Sequence, residues 1–233
     1  MKTKKPIKIL LIALSLLIIA TIAGFFVCTA QYYKADDTAI AAINLSDSIT
    51  YGDNYIAIGS PEQTDRALIF YPGGKVEYLA YYPLLERLSQ NGITCILVKM
   101  PFNLAVFDLN TADEIMRDFP EIAHWYIGGH SLGGAMASSY ASKHQEEVEG
   151  LILLGAYVYG EYPKDKALTL YGEHDGVLNR SKVDYTENVV VIDDGNHAQF
   201  GNYGHQKGDG DATITADEQQ RITVKNIVEF INN

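Results

Sequence analysis

Cysteine is scarce in this chain of 233 residues, which contains only Cys28 and Cys95. Cys28 lies in a long apolar segment near the N-terminus, so a single cysteine remains in the rest of the chain and an intrachain disulfide is excluded there. Cys95 lies in an apolar run without a histidine beside it, and we expect a small buried hydrophobic side chain rather than a nucleophile. Stability must therefore come from a hydrophobic core.

Basic residues are also few, with 18 lysines and arginines against 29 acidic residues. Four of the lysines precede residue 9, and every acidic residue lies beyond residue 35, so the chain after the apolar segment carries a net charge of −15. A surface of this charge repels polyanions. Nucleic acid is therefore excluded as an expected partner.

Charge is absent altogether from residues 9–30, which follow lysines at positions 2, 4, 5 and 8. The apolar stretch is about as long as the ~20 residues that span a bilayer and longer than a typical cleavable signal core. The positive-inside bias predicts a single-pass anchor within residues 1–30 and an extracytoplasmic location for everything after Gln31. Cleavage after Ala30, which would release a secreted domain, is the alternative.

Beyond residue 30, apolar runs of strand length alternate with segments of helical spacing. Residues 31–54 are predicted to form a linker or a short helix, before a domain at residues 55–233. We expect strands at residues 55–58, 66–71, 93–100, 124–128, 151–158, 167–171 and 189–192, and helices at residues 78–90, 111–119, 135–143 and 215–231, the second and fourth capped by Thr111 and Thr215. This alternation predicts an α/β fold with a mostly parallel central sheet and helices on both faces. The short connection between the strands at 151–158 and 167–171 predicts little or no lid.

The stretch Gly-His-Ser-Leu-Gly-Gly at residues 129–134 is the strongest chemical signal. An apolar strand precedes it and a helix-tolerant segment follows, as in the strand-turn-helix elbow that presents a serine nucleophile. Glycines two positions before and two after Ser131 fit the close backbone approach that such a turn requires. Ser131 is the predicted nucleophile, and His130 is expected to pack against or orient the elbow.

A serine nucleophile needs a histidine base and a carboxylate that orients the histidine. Asp175 follows the strand at 167–171 and His197 follows the strand at 189–192, which is the order serine, acid, histidine. The sequence therefore predicts a triad of Ser131, Asp175 and His197. Competing acids are Glu173, Asp193 and Asp194, and His205 is the second choice for the histidine.

An acyl-transfer site also needs backbone donors for the oxyanion. The residue after the nucleophile, Leu132, is the expected first donor. The run Tyr71-Pro-Gly-Gly-Lys75 follows an earlier strand, and we expect Gly74 or Lys75 to supply the second. Tyr78, Tyr81 and Tyr82 follow this oxyanion loop and are expected to form an apolar wall near the site.

These motifs, together with Met100-Pro-Phe-Asn-Leu-Ala-Val106, Tyr171-Gly-Glu-His-Asp175 and Gly195-Asn-His-Ala-Gln-Phe-Gly201, resemble those of the small bacterial α/β hydrolases of the fold-5 domain family, related to the dienelactone-hydrolase-like group. The resemblance covers about residue 55 to the C-terminus. It implies an α/β hydrolase fold in which Ser131, Asp175 and His197 are nucleophile, acid and base. The dienelactone hydrolases have a cysteine where Ser131 stands here, so the resemblance does not carry over their substrate.

Residues 204–219 resemble a calcium loop, with the run Gly208-Asp-Gly-Asp211 at their centre. A calcium loop that starts at Asp209 would need a glycine where Ile214 stands and a bidentate glutamate where Gln220 stands. The mismatch predicts no metal site. We expect instead a loop beside the site that leads into the last helix, and no cofactor is expected.

The sequence therefore predicts a membrane-anchored serine esterase that cleaves an ester-type acyl bond of a small-molecule or acylated envelope substrate. An acyltransferase of the cell envelope with the same triad is the alternative. A further alternative is a non-catalytic binding module that keeps the fold but has lost its enzymatic activity. Neither the natural substrate nor the oligomeric state follows from the sequence.

Overall fold

The computed structural model describes residues 4–46 and 48–233 of the chain. The described residues fall into two compact units, one that ends at Tyr32 and one that spans Tyr33–Asn233. Lys2, part of the basic flank predicted before the apolar segment, lies outside the described residues.

The first unit contains one helix, α1 (Lys4–Ala30). Its apolar part, Ile7–Ala30, comprises 24 residues and is long and apolar enough to cross a bilayer. A signal sequence near the N-terminus can pass the same test of length and apolar composition, so α1 is compatible with both alternatives drawn from the sequence.

The second unit contains eight strands and five helices among the described residues. In chain order they are α2 (Asp37–Asn44), β1 (Ile49–Tyr51), β2 (Tyr55–Ile58), β3 (Arg66–Tyr71), α3 (Tyr82–Ser89), β4 (Thr94–Val98), α4 (Thr111–Asp118), β5 (His124–His130), α5 (Leu132–Ala141), β6 (Gly150–Leu154), β7 (Ala167–Gly172), β8 (Val189–Ile192) and α6 (Ala216–Asn232). The connection between β6 and β7 contains only a 3-10 turn, Lys164–Lys166, so no helical lid is inserted there.

The eight strands form one sheet in the order β1-β2-β4-β3-β5-β6-β7-β8. Strands β1, β2 and β4 pair antiparallel at one edge, and the remaining neighbours all pair in parallel. The carboxyl ends of β3 and of β5 to β8 therefore meet at one edge of the sheet. Open parallel sheets place their sites at this edge.

Alternating side chains of the central strands pack into two separate cores. Leu68 and Phe70 of β3 face a cluster that includes residues of α3 and α6, whereas Ala67 and Ile69 face residues of α4 and α5. A sheet covered on both sides explains why its inner strands have continuous apolar sequences. The predicted α/β class, the mostly parallel sheet and the helices on both faces are confirmed.

Two local expectations differ from the structure. Residues 31–54 contain the short helix that was one of the two expectations, α2, but also an unexpected strand, β1, which pairs with β2, so most of this segment belongs to the second compact unit. Thr111 is the first residue of α4 rather than its cap, a position that Asn110 occupies. The Thr111 hydroxyl accepts a hydrogen bond from Asn54 Nδ2 at 2.8 Å. Thr215 caps α6 as predicted, accepting from the amide of Glu218.

The reactivity of the Cys95 thiol reports on the packing of the sheet. Its side chain is fully buried, and burial raises the pKa of the thiol, while the thiolate is the form that reacts with disulfide reagents. In a Cys28→Ser variant of the full chain, we expect no reaction with Ellman's reagent at pH 8 in the native state and one equivalent after unfolding in guanidinium. Complete labelling of the native protein within minutes would contradict the buried position.

Candidate active site

Ser131 occupies the turn between β5 and α5, in a backbone conformation that non-glycine residues rarely adopt. Its φ is 53° and its ψ is −121°. Such a conformation is strained and persists only where the surrounding structure enforces it. The amide of Ser131 donates to the carbonyl of Leu154 at the end of β6, at 2.9 Å, which fixes the turn to the neighbouring strand.

Two glycines make this turn sterically feasible. A Cβ at Gly129 would lie 2.5 Å from the carbonyl oxygen of Tyr71, and one at Gly133 would overlap the carbonyl oxygens of Tyr71 and Pro72. The elbow therefore packs backbone against backbone on the end of β3. The sequence spacing of the glycines around Ser131 had predicted this close approach.

Asp175 and His197 meet in the interior, although they follow different strands. Nδ1 of His197 lies 2.8 Å from Oδ2 of Asp175, and both side chains are fully buried. The other carboxylate oxygen of Asp175 accepts from the amides of Val177 and Leu178 at 2.9 and 2.8 Å. Because an ionised carboxylate only accepts hydrogen bonds, the proton lies on Nδ1 of His197 and its Nε2 keeps a free lone pair.

Nε2 of His197 is buried and has no hydrogen-bond partner within the described residues. His197 and Ser131 line the same cavity, which has a volume of about 330 Å³. The apolar part of its lining consists of Leu132, Ala135, Ala156, Val177 and Leu178. Tyr157 and Asn179 also line it, so the cavity combines the Ser131 hydroxyl and the His197 imidazole with two further polar side chains and an apolar wall.

Gly155, at the end of β6, was not singled out from the sequence. Its φ is 53°, and a Cβ there would lie 2.7 Å from Nδ1 of His197 and 3.2 Å from Oδ2 of Asp175. Any other residue would displace the pair. The sequence signal is a glycine that directly follows an apolar strand at the sheet edge where sites form.

Of the expected oxyanion donors, Leu132 and Gly74 lie in contact. A Cβ at Gly74 would be 2.8 Å from Cδ2 of Leu132, and the amides of both residues donate no hydrogen bond within the described part of the chain. Lys75 differs from the expectation, because its amide donates to the carbonyl of Asn103 at 2.7 Å and is already engaged. Gly74 is therefore the better candidate in this loop.

The tyrosines do not form the expected wall of the cavity. Tyr81 and Tyr82 are fully buried in the core beside α3. The hydroxyl of Tyr81 accepts from the amide of Gly73 at 3.1 Å and shares a hydrogen bond of 2.7 Å with Nδ1 of His130. Tyr81 thus connects the oxyanion loop to the residue before Ser131.

His130 packs behind the elbow, with its ring centroid 4.3 Å from that of His197. Burial, reinforced by the nearby His197, holds the pKa of His130 well below its usual range. His130 is therefore neutral at physiological pH.

The competing candidates for the acid and the histidine lie on the surface, outside the cavity. Glu173 accepts a hydrogen bond from the amide of Asp194, and both residues are exposed, as are Asp193 and His205. Glu173, His174 and Asp194 bring three possible metal-ligating atoms within 4.8 Å of one another, on the surface. None of the four competitors lines the cavity that Ser131 and His197 share.

Comparisons with known proteins agree with this architecture. Est1E from Butyrivibrio proteoclasticus superimposes with a TM-score of 0.56 at 14% identity, covering 79% of this chain and 98% of Est1E. A monoacylglycerol lipase from Paleococcus ferrophilus gives 0.57 at 12% identity, covering 78% and 99%. A dienelactone hydrolase from Anabaena variabilis gives 0.50 at 14% identity, covering 78% and 95%. At these identities the likeness shows the fold alone.

A sequence relative is a protein of Mycobacterium phage D29 predicted to be a non-heme haloperoxidase. It is 28% identical over 123 residues, which span 49% of this chain and 42% of the phage protein. The match therefore covers less than half of that relative's length.

The family profile decides the assignment. The profile described as alpha/beta hydrolase family matches residues 67–221, which include the elbow, the Asp175 turn and the His197 loop. This range is well over half of the chain. The chain therefore belongs to the alpha/beta hydrolase family.

Proposed function

We propose that the protein is a serine hydrolase that cleaves an ester-type acyl bond through an acyl-serine intermediate. The observation that carries this proposal is the buried pair of Asp175 and His197, with Nε2 of His197 unpartnered beside the cavity that Ser131 also lines. A neutral imidazole with its proton fixed on Nδ1 is the form that acts as a general base.

In the proposed reaction, Ser131 Oγ attacks the carbonyl carbon while Nε2 of His197 takes the hydroxyl proton. The amides of Leu132 and Gly74 stabilise the oxyanion, and Asp175 stabilises the imidazolium that forms. His197 then gives its proton to the leaving alcohol. Water, activated by the same nitrogen, releases the acid and regenerates Ser131.

The cavity favours a small apolar group as one part of the substrate. Its volume of about 330 Å³ lies at the lower end of typical ligand sites, and most of its wall is apolar. The fold brings no helical lid over this edge between β6 and β7. We therefore propose an ester with a short acyl chain or a small alcohol, either free or attached to a cell-envelope component.

The roles of Ser131 and Asp175 are tested together. Ser131→Ala should abolish both hydrolysis of p-nitrophenyl butyrate and labelling by a fluorophosphonate probe. Asp175→Asn should lower kcat by about 10⁴-fold, because the amide no longer holds the proton on Nδ1 of His197. Glu173→Gln, two positions away on the surface, is the matched control and should retain wild-type turnover.

Full activity of Ser131→Ala would disprove the nucleophile. Equal losses in Asp175→Asn and Glu173→Gln would show that the acid is not specified by the buried contact.

Tyr81 supports the oxyanion loop in this mechanism. Tyr81→Phe leaves the amide of Gly73 and Nδ1 of His130 buried without their partner, so the free energy of unfolding should fall by about 1–3 kcal/mol. Tyr82→Phe is the control, because that ring is equally buried but its hydroxyl bonds to Glu86. Urea denaturation compares the two variants, and equal losses would contradict the role of the Tyr81 hydroxyl.

We further propose that α1 anchors the protein in the cell membrane with the catalytic domain outside. The uncharged stretch at residues 9–30 and the lysines that precede it support this orientation. The protein should remain in the membrane fraction after carbonate extraction, and alkaline phosphatase fused after Asn233 should be active. A mature protein whose mass begins at Gln31 would instead support release after signal cleavage.

A further inference from the structure

The run Gly208-Asp-Gly-Asp211 has no part in the mechanism above, yet it lies against the proposed active site. In the structure this segment has neither helix nor strand, and the Asp209 side chain is half-buried. Its carboxylate faces the two turns that carry Asp175 and His197.

The Asp209 carboxylate accepts four backbone hydrogen bonds. Oδ2 accepts from the amide of Ala198 at 2.8 Å. Oδ1 accepts from the amides of His197 at 3.2 Å, Gly176 at 3.1 Å and Gly210 at 2.9 Å. One side chain thus binds the backbone of the residue after the proposed acid and that of the proposed base itself.

Close backbone packing holds Asp209 in this position. A Cβ at Gly176 would lie 2.6 Å from the carbonyl oxygen of Gly208, and a Cβ at Gly210 would overlap the carbonyl oxygen of His174. The segment is therefore wedged against the Asp175 turn through two glycines. This packing leaves Asp209 little freedom to move away from the amides it accepts from.

The hydrogen-bond donors around Asp209 give this aspartate a different role from that of a calcium ligand, despite the likeness of the run to a calcium loop. Both carboxylate oxygens of Asp209 face N–H groups, whose positive ends favour an anion and oppose a cation. Here the aspartate serves as an acceptor for the backbone.

We propose that Asp209 is a positioning residue, which fixes the Asp175 turn and the His197 turn relative to each other so that the buried hydrogen bond forms in one geometry. The proposal rests on the proposed function, since it assumes that Asp175 and His197 are acid and base. Asp209 does not line the cavity. It acts through the peptide backbone, so its loss should affect the chemical step and not substrate binding.

Asp209→Asn in the full chain tests this role. The amide keeps one acceptor oxygen but turns an N–H group toward at least one backbone N–H, so the two turns separate slightly. We expect kcat to fall about 10²-fold with KM changed less than two-fold, because small misplacements of catalytic groups have effects of this size. Asp211→Asn is the matched control, because Asp211 is an exposed carboxylate in the same run.

Two readouts separate positioning from a general loss of structure. The acid limb of the kcat/KM profile should shift in Asp209→Asn, and the downfield proton resonance of the His197 Nδ1–H should move or broaden. Both should stay at their wild-type values in Asp211→Asn. If Asp209→Asn does not fold, Asp209→Glu replaces it. Its longer side chain keeps the carboxylate but displaces it, and kcat should fall about ten-fold to hundred-fold below the wild-type value.

The outcomes distinguish this proposal from the proposed function. If Asp175→Asn loses activity while the folded Asp209 variants keep wild-type kcat and pH profile, the positioning role is overturned and the triad stands. If Asp175→Asn retains activity, the triad itself fails. An equal loss in Asp209→Asn and Asp211→Asn would also overturn the positioning role.

Discussion

The hydrogen bond between His197 and Asp175 connects two side chains that solvent does not reach, and the arrangement of the site depends on it. A buried carboxylate is costly unless donors surround it. The amides of Val177 and Leu178 supply two donors and His197 the third. Gly155 leaves the space that the pair occupies. These partners come from the connections after β6, β7 and β8, so the pair ties the ends of three strands together.

Close backbone packing is the second constraint, and it acts at the elbow that carries Ser131. The strained φ of Ser131 persists because Gly129 and Gly133 allow the elbow to lie directly on the end of β3. Gly74 lies against the same elbow, since a Cβ there would be 2.8 Å from Cδ2 of Leu132. Close packing of the elbow against the end of β3 and the loop after it therefore holds the strained serine in place.

Much of this site could be predicted because its signals are local. The elbow is a short motif between a strand and a helix, and Asp175 and His197 each follow an apolar run that the structure confirms as a strand. Local sequence signals did not predict that the Lys75 amide is engaged elsewhere, or that Tyr81 and Tyr82 lie in the core instead of lining the cavity. The amide of Lys75 is engaged by Asn103, and Tyr81 reaches His130, so both outcomes depend on partners distant in the chain.

The sequence by itself determined the α/β class, the order of strands and helices, and which residues lie at the carboxyl ends of strands, because periodicity and turn chemistry act over a few neighbouring residues. Only the tertiary structure decided that β1 joins the sheet, that Gly155 makes room for the buried pair, and that Asp209 accepts from two separate turns. These contacts join segments far apart in the chain, and hydrogen-bond partners over such distances are chosen by packing in three dimensions.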